Sequence, residues 1–185
     1  MAFTVIYDAN VLYPAPLRDL LIRLARKGVV QAKWTSLILD EVFRNLAPKR
    51  PDLCPERLQR TRGLMERAIP DVAVEGFEPL IAGLELPDPD DRHVLAAAIK
   101  SGAQAIVTHN LKDFPRDKLA PYNVEAMDPD TFVLDLLDLA PGRVLQALNE
   151  QQGALKRPPQ SMEELLETLA GNGLRRSVME VRQLL

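Results

Sequence analysis

Short apolar segments alternate with amphipathic helical segments over roughly the first 125 residues, and this alternation restricts the fold most strongly. The segment FTVIYD (3–8) is rich in β-branched and aromatic residues and ends in a polar turn, as a buried strand does. Further strands are predicted at DVAVEG (71–76), AQAIVTHN (103–110) and NVEAMD (123–128), and VVQAKW (29–34) fits an edge strand or a helix extension. The alternation predicts an α/β fold with a central parallel sheet flanked by helices.

Helices are predicted between these strands from apolar periodicity and from the residues at the helix ends. They cover residues 16–27, 35–47 and 55–69, followed by a helix that starts near Asp88 or Pro89 and ends at Gly102. Prolines at 48 and 51 are expected to separate the second helix from the third.

From Asp128 onward the pattern is entirely helical. DPDTFVLDLLDLA (128–140) is predicted to close the main domain, and the rest is broken at KRPPQ (156–160) and GNG (171–173). We therefore predict a main domain over residues 1–138 and a small helical C-terminal extension over residues 139–185.

The composition suits one globular domain of ordinary size, with 185 residues, of which 46% are apolar and 26% charged. No apolar segment approaches the ~18 residues of a membrane span, and MAFTVIYDAN lacks the basic and then apolar layout of a signal peptide. We therefore expect a cytoplasmic protein that does not insert into membranes. The single cysteine, Cys54, excludes an internal disulfide and a cysteine-based zinc cluster.

The net charge of −3 argues against a protein that binds nucleic acid over its whole surface. Basic residues nevertheless exceed acidic ones by four between residues 44 and 67. Such a stripe fits a phosphate-binding surface and a solvated helical face equally well. The residues are Arg44, Lys49, Arg50, Arg57, Arg60, Arg62 and Arg67, against Asp52, Glu56 and Glu66.

Asp91 stands in the apolar stripe of its predicted helix, because Val94, Leu95 and Ala98 follow it at helical spacing. An unpaired buried carboxylate is costly, so either the first turn is exposed to solvent or a cation binds there. Capping of the helix start is the ordinary explanation for Asp91 and its acidic neighbours.

Three further acidic residues are expected at the same edge of the sheet. Asp8 and Asp113 follow predicted strands, and Glu41 lies on a neighbouring helix. Taken singly, they fit an Asx turn, a loop position and a surface position. The carboxyl ends of parallel strands form the ligand crevice of an α/β sheet, however, and carboxylates crowded there repel one another and raise one another's pKa.

A divalent cation would relieve this repulsion. The available ligands are oxygens, and His93 and His109 show no zinc-binding spacing, so Mg²⁺ or Mn²⁺ fits best. Such an ion supports phosphodiester hydrolysis. Whether one ion or two bind stays open.

Three segments resemble the PIN-domain ribonucleases, in particular the VapC-like toxins of prokaryotic toxin–antitoxin pairs. They are VIYDANVL (5–12), LDEVFRNL (39–46) and DPDDRHVLAAAIKSGAQAIVTHNLKDFP (88–115), and they occur in the family's order. The similarity covers roughly residues 3–135.

The resemblance implies a three-layer α/β/α domain and a metal-dependent endoribonuclease with an RNA substrate. Asp8, Glu41, Asp91 and Asp113 stand at the positions of the family's acidic quartet, as metal ligands and catalytic residues. Membership also implies a homodimer and a cognate antitoxin protein that blocks the acidic pocket. The C-terminal extension departs from the compact family pattern, and packing on the main domain is its first expected role, before antitoxin binding or dimerisation.

Three further residues are candidates for substrate binding. Asn110 stands where family members often carry aspartate, so it can contact a phosphate but brings no charge. Thr108 fits a supporting hydroxyl or an ordinary strand residue. Arg44, three residues after Glu41, could pair with that carboxylate or hold a substrate phosphate.

Other classes of protein fit less well. Aspartyl-phosphate phosphatases need a second aspartate two positions after the first, where this chain has Asn10, and a phosphorelay receiver needs an acidic pair that is missing here. The remaining alternative is a PIN-like scaffold that binds RNA or a protein without cutting.

Overall fold

The computed structural model describes residues 3–185, in which four strands form a parallel sheet, each of them within a segment for which a strand was considered. β1 and β3 are its central strands, so the residues that follow them lie side by side at the carboxyl edge: Asp8 N–H donates to the Val107 carbonyl oxygen at 3.1 Å. The strands, in the spatial order β2-β1-β3-β4, are β1 (Phe3–Tyr7), β2 (Val30–Lys33), β3 (Ala105–Val107) and β4 (Glu125–Met127).

Helices connect the strands and follow the last one. Within residues 3–185, none of them combines the length and the apolar character needed to cross a membrane. They are α1 (Ala9–Leu12), α2 (Ala15–Arg26), α3 (Ser36–Lys49), α4 (Pro55–Ala68), α5 (Glu78–Ile81), α6 (Arg92–Ser101), α7 (Arg116–Leu119), α8 (Pro129–Leu139), α9 (Pro141–Ala154), α10 (Met162–Gly171) and α11 (Arg175–Leu184).

The central strands are covered on both faces. Val5, Ile6 and Tyr7 alternate between the two faces, yet all three are fully buried. α6 packs on β1 and β3, and the Tyr7 ring meets the Phe132 ring of α8 edge-on at 5.9 Å between centroids. The fold is thus the predicted three-layer α/β/α arrangement, with helices added at the C-terminus.

The C-terminal helices pack directly on the main domain. α9 lies against α2, and α11 lies against α8. Asp130, at the start of α8, accepts hydrogen bonds from the backbone N–H of Ser177 at 2.8 Å and from that of Arg176 at 3.0 Å. A buried carboxylate therefore caps the first turn of α11, because the free N–H groups of a helix start favour a negative charge.

The prediction of a strand at 71–76 is wrong. Only Ala73 bridges to the sheet, with Trp34 N–H donating to Val72 O at 3.0 Å and Val74 N–H donating to Trp34 O at 2.9 Å. Pro70 before it and Gly76 after it, with φ of +70°, leave too short an extended segment for a longer ladder. The segment VVQAKW (29–34) contains β2, so of its two predicted structures the edge strand is confirmed and the helix extension is wrong.

Two predicted helix boundaries also differ. α3 continues through Pro48 to Lys49 because the proline stands in its last turn, and its predicted start at Thr35 is the N-cap, whose hydroxyl accepts from Ile38 N–H at 3.1 Å. The helix expected from Asp88 begins instead with a 3-10 turn, and α6 starts at Arg92.

Candidate active site

Asp8 lies directly after β1, at the centre of the carboxyl edge, and is 4% exposed. Its Oδ1 accepts a hydrogen bond from Ala9 N–H at 2.7 Å, and its Oδ2 accepts one from the Thr108 hydroxyl at 2.8 Å. Burial raises the pKa of the Asp8 carboxyl, these two hydrogen bonds lower it, and the charge of Asp113 raises it again, with a net rise. Asp8 is therefore a buried carboxyl group with a fixed orientation.

Asn10 joins Asp8 to the end of β3, a role that the sequence analysis missed. Its Nδ2 donates to Asp8 Oδ2 at 3.1 Å and to Thr108 Oγ1 at 2.9 Å, and its Oδ1 accepts from His109 N–H at 3.0 Å. The only hint in the sequence is a polar residue two positions after the strand aspartate. Asn10 thus joins the start of α1 to the end of β3 around Asp8.

Thr108 and Asn110 lie at the end of β3, beside Asp8. Thr108 is fully buried, and its hydroxyl accepts from Asn110 N–H at 3.0 Å while donating to Asp8. The Asn110 side chain is exposed. The structure therefore places Thr108 against the candidate ligand, and leaves the Asn110 side chain in solvent at the rim.

Asp91 is the last residue of the 3-10 turn Pro89–Asp91, and it is half-buried. The turn begins at Asp88, whose Oδ1 accepts from Asp90 N–H at 2.9 Å, so Asp88 is the capping residue. In the part of the chain that the structure describes, no basic side chain forms a salt bridge with Asp91. The expected partial exposure of Asp91 is therefore confirmed, whereas the binding of a cation beside it stays a prediction.

Burial and the charges of neighbouring acidic residues raise the pKa of the Asp91 carboxyl to about 7. Burial is the largest cause, and the charge of Asp8 is the next; the charges of Asp88, Asp113 and Glu41 add to it. Asp91 is thus in electrostatic contact with all three of the other predicted ligands.

Glu41 faces the same group of acids from α3. Burial is the main cause that raises the pKa of its carboxyl, followed by the charge of Asp8, whereas the Arg44 guanidinium lowers it. Asp113 ends the 3-10 turn Leu111–Asp113 and is half-buried. Its charge raises the pKa of both Asp8 and Asp91.

An open cavity of about 480 Å³ between α3 and the start of α6 contains part of this group. Glu41, Arg44 and Asp91 line it together with His93, whose buried Nδ1 has no hydrogen-bond partner among residues 3–185. His93 was considered only as a zinc ligand in the sequence analysis, because its place beside Arg44 depends on tertiary packing. Asp8 lies outside the cavity lining.

A larger cavity of about 810 Å³ lies beside β4 and is lined by Phe114, Val124 and Ala126. It contains none of the predicted acidic ligands. The smaller cavity is the better candidate for chemistry, because charged groups converge there.

The predicted ligands are of the chemical type that binds a hard divalent cation, but their positions do not form a binding site for one. The predicted ligands are all carboxylates; burial, followed by the charges of neighbouring acids, raises the pKa of Asp8, Glu41 and Asp91, and a cation would relieve the repulsion among these charges. Among residues 3–185, however, no three carboxylate, histidine or cysteine side chains stand close enough together to hold one ion.

The sequence comparisons agree with this arrangement. The PIN domain profile matches residues 4–112, and the profile of the VapC50 C-terminal domain matches residues 129–183, from α8 onward. A protein named "Putative ribonuclease VapC50" from Mycobacterium tuberculosis (strain ATCC 25618 / H37Rv) is 43% identical over 94 residues, which are 51% of this chain and 55% of that protein.

The chain therefore spans about half the length of the curated relative that it matches. No solved structure matches it significantly. The PIN profile covers more than half of the chain, from β1 through the end of β3, and it includes three of the four acids, Asp8, Glu41 and Asp91. The chain belongs to the PIN-domain family.

Proposed function

We propose that this protein is a metal-dependent endoribonuclease that hydrolyses RNA phosphodiester bonds, and that it is the toxin of a toxin–antitoxin pair. The observation that carries the proposal is the raised pKa of Asp91 among Asp8, Glu41 and Asp113 at the carboxyl edge of a PIN fold. The relative named as a ribonuclease supports the same activity.

Asp8, Glu41, Asp91 and Asp113 are the proposed ligands of Mg²⁺, with Mn²⁺ as the alternative ion. PIN-domain ribonucleases generally use divalent metal ions, and the all-oxygen donor set suits either of these two. When bound, the ion would activate water and neutralise charge on the phosphate.

The chain's own residues orient the site. Thr108 and Asn10 donate to Asp8 Oδ2, and Ala9 N–H donates to Oδ1, so the carboxylate presents its remaining lone pairs in a fixed direction. Arg44 lies in the cavity beside Glu41, where its guanidinium can bind a phosphate oxygen of the substrate in bidentate geometry. Asn110, exposed at the rim, is a second proposed contact for the RNA backbone.

A cognate antitoxin, a homodimer and a cytoplasmic location belong to the proposal. A basic antitoxin side chain would find uncompensated carboxylates in the cavity, which explains how such a partner could block the site.

One observation favours a second candidate, a PIN-like scaffold that binds RNA or a protein without cutting. The described residues 3–185 do not bring three ligand side chains together for one metal ion. Such a scaffold would bind without hydrolysis, whether or not a divalent cation is present.

Cleavage of a panel of structured RNAs by the purified protein separates the two candidates. We expect cleavage with Mg²⁺ or Mn²⁺, none with EDTA, and none by the Asp91→Asn variant. Asp138→Asn, a change of an exposed carboxylate on α8, is the matched control and should cut normally. Cleavage that persists in EDTA would refute the metal mechanism, and RNA binding without cleavage would favour the scaffold.

A further inference from the structure

The C-terminal helices reach the same edge of the sheet as the candidate acids. The turn between α10 and α11 places Gly173 against the imidazole of His109, the residue after Thr108. A Cβ atom at Gly173 would lie 3.0 Å from His109 Cε1, closer than two carbon atoms normally approach. Gly173 also has φ of +106°, which side-chain-bearing residues rarely adopt. The contact therefore needs glycine.

A second attachment lies a few residues further along. Arg176 Nε and the N–H groups at the start of α11 bind Asp130, and Arg176 also lies 3.8 Å from a carboxylate oxygen of Asp128, which directly follows β4. Asp130 is 6% exposed, so its hydrogen bond from Ser177 N–H is buried, whereas the Arg176 side chain is exposed. The C-terminal helices are thus fixed to the carboxyl edge beside both β3 and β4.

His109 connects the Gly173 turn with Asp8. Its backbone N–H donates to Asn10 Oδ1 at 3.0 Å, and Asn10 Nδ2 donates to Asp8 Oδ2 at 3.1 Å. A displacement of His109 would therefore pull on the amide group that orients the buried carboxylate.

We propose that the Gly173 turn positions Asp8 through His109 and Asn10. The C-terminal helices would then help to set the geometry of the active site. His109 and Gly173 are positioning residues in this proposal, which rests on the proposed nuclease function. Displacing a ligand by a fraction of an ångström lowers a rate while it leaves substrate binding largely intact. The predicted division of the chain at residues 138/139 would then separate two parts that act together.

The first test compares two glycines with positive φ. Gly173→Ala forces a methyl group against His109, whereas Gly28→Ala meets only an arginine side-chain atom 4.0 Å away at the opposite end of the sheet. Both changes strain the backbone, so thermal unfolding controls for stability. We expect kcat to fall about tenfold in Gly173→Ala with KM changed less than about twofold, and both to stay unchanged in Gly28→Ala. Equal kcat in the two variants would overturn the proposal.

The second test measures coupling between the two residues. In a His109→Ala background the methyl group of Gly173→Ala has no ring to meet, so we expect it to lower kcat less than about twofold. His109→Phe keeps a ring at the contact and should retain more activity than His109→Ala. The same loss from Gly173→Ala in both backgrounds, or equal losses from His109→Phe and His109→Ala, would contradict positioning by contact.

A third readout does not depend on activity. The backbone amide of His109 and the side-chain amide of Asn10 give separate signals in ¹H–¹⁵N spectra. Both should shift in Gly173→Ala, the Asn10 signals should also shift in His109→Ala, and neither should shift in Gly28→Ala. If the wild-type protein cuts no RNA, the proposed function fails, but these shifts still decide the positioning. If the Gly173→Ala variant does not fold, the spectrum of the His109→Ala variant is the remaining test. Unchanged Asn10 signals in that spectrum would overturn the proposal.

Discussion

Thr108 donates its hydroxyl hydrogen to Asp8 Oδ2 at 2.8 Å, across the two central strands and between residues 100 positions apart in the sequence. The bond links the carboxyl ends of β1 and β3, and both residues are almost completely buried. It is a buried, charge-assisted hydrogen bond when Asp8 is ionised, which makes it stronger than an average hydrogen bond.

Thr108→Val tests this link. The change keeps the side-chain shape but removes the donor, so Asp8 loses part of its orientation. We expect about a tenfold fall in kcat and a loss of about 1 to 3 kcal/mol in the free energy of unfolding. Thr61→Val, on the surface helix α4, is the matched control for enzyme assays and chemical denaturation. Unchanged kcat in Thr108→Val would mean that Asp8 needs no such support.

Asp91→Asn separates catalysis from stability. The change removes a charge that is repelled by its acidic neighbours, so the metal-free protein should become more stable by about 1 to 3 kcal/mol at pH 8 while cleavage is lost. Urea denaturation in EDTA measures the first effect, and RNA cleavage in Mg²⁺ measures the second. Lower stability with normal cleavage would show instead that Asp91 is only a structural residue.

The pH dependence of stability follows from the same carboxyl group. Its pKa is about 7 in the folded protein and near 3.8 when unfolded, so the folded state binds the extra proton between these values. The metal-free protein should therefore gain stability as the pH falls from 8 to 5, and Asp91→Asn should reduce that gain. Stability that falls over this window in the wild-type protein would contradict the raised pKa.

Asp130 is expected to hold the C-terminal helices in place. Burial opposes its ionisation, but hydrogen bonds from Ser177 and Arg176 outweigh burial and lower the pKa of the Asp130 carboxyl. Asp130→Ala leaves the start of α11 without its acceptor and should destabilise the protein by about 2 to 4 kcal/mol. Asp135→Ala, an exposed change on the same helix, should cost much less. Similar melting temperatures for the two variants would show that the attachment contributes little.

Much of the fold could be predicted from the sequence, because it depends on local patterns. The buried runs at β1 and β3 and the cap at Thr35 are properties of a few neighbouring residues. The strand at 71–76 was predicted wrongly, since a short apolar segment does not specify how many residues pair with its neighbour.

The site was less predictable, because its supporting contacts join distant segments. The sequence placed Asp8 after a strand, but the hydrogen bonds from Asn10 and Thr108 require the strand order. His93 beside Arg44 and Gly173 beside His109 depend on how helices pack, which no spacing reports. That the four acids are metal ligands stays a prediction.

Calorimetry of Mn²⁺ binding tests the central claim most directly, namely that the acids of the carboxyl edge together hold a divalent cation. Because the pKa of the Asp91 carboxyl is about 7, this group is partly protonated at pH 7, so binding to the wild-type protein should release protons, measured by titration in buffers of different ionisation enthalpy. Asp91→Asn should bind at least tenfold more weakly and release far fewer protons. Equal affinity in both proteins, or no Mn²⁺ binding to either, would contradict the account.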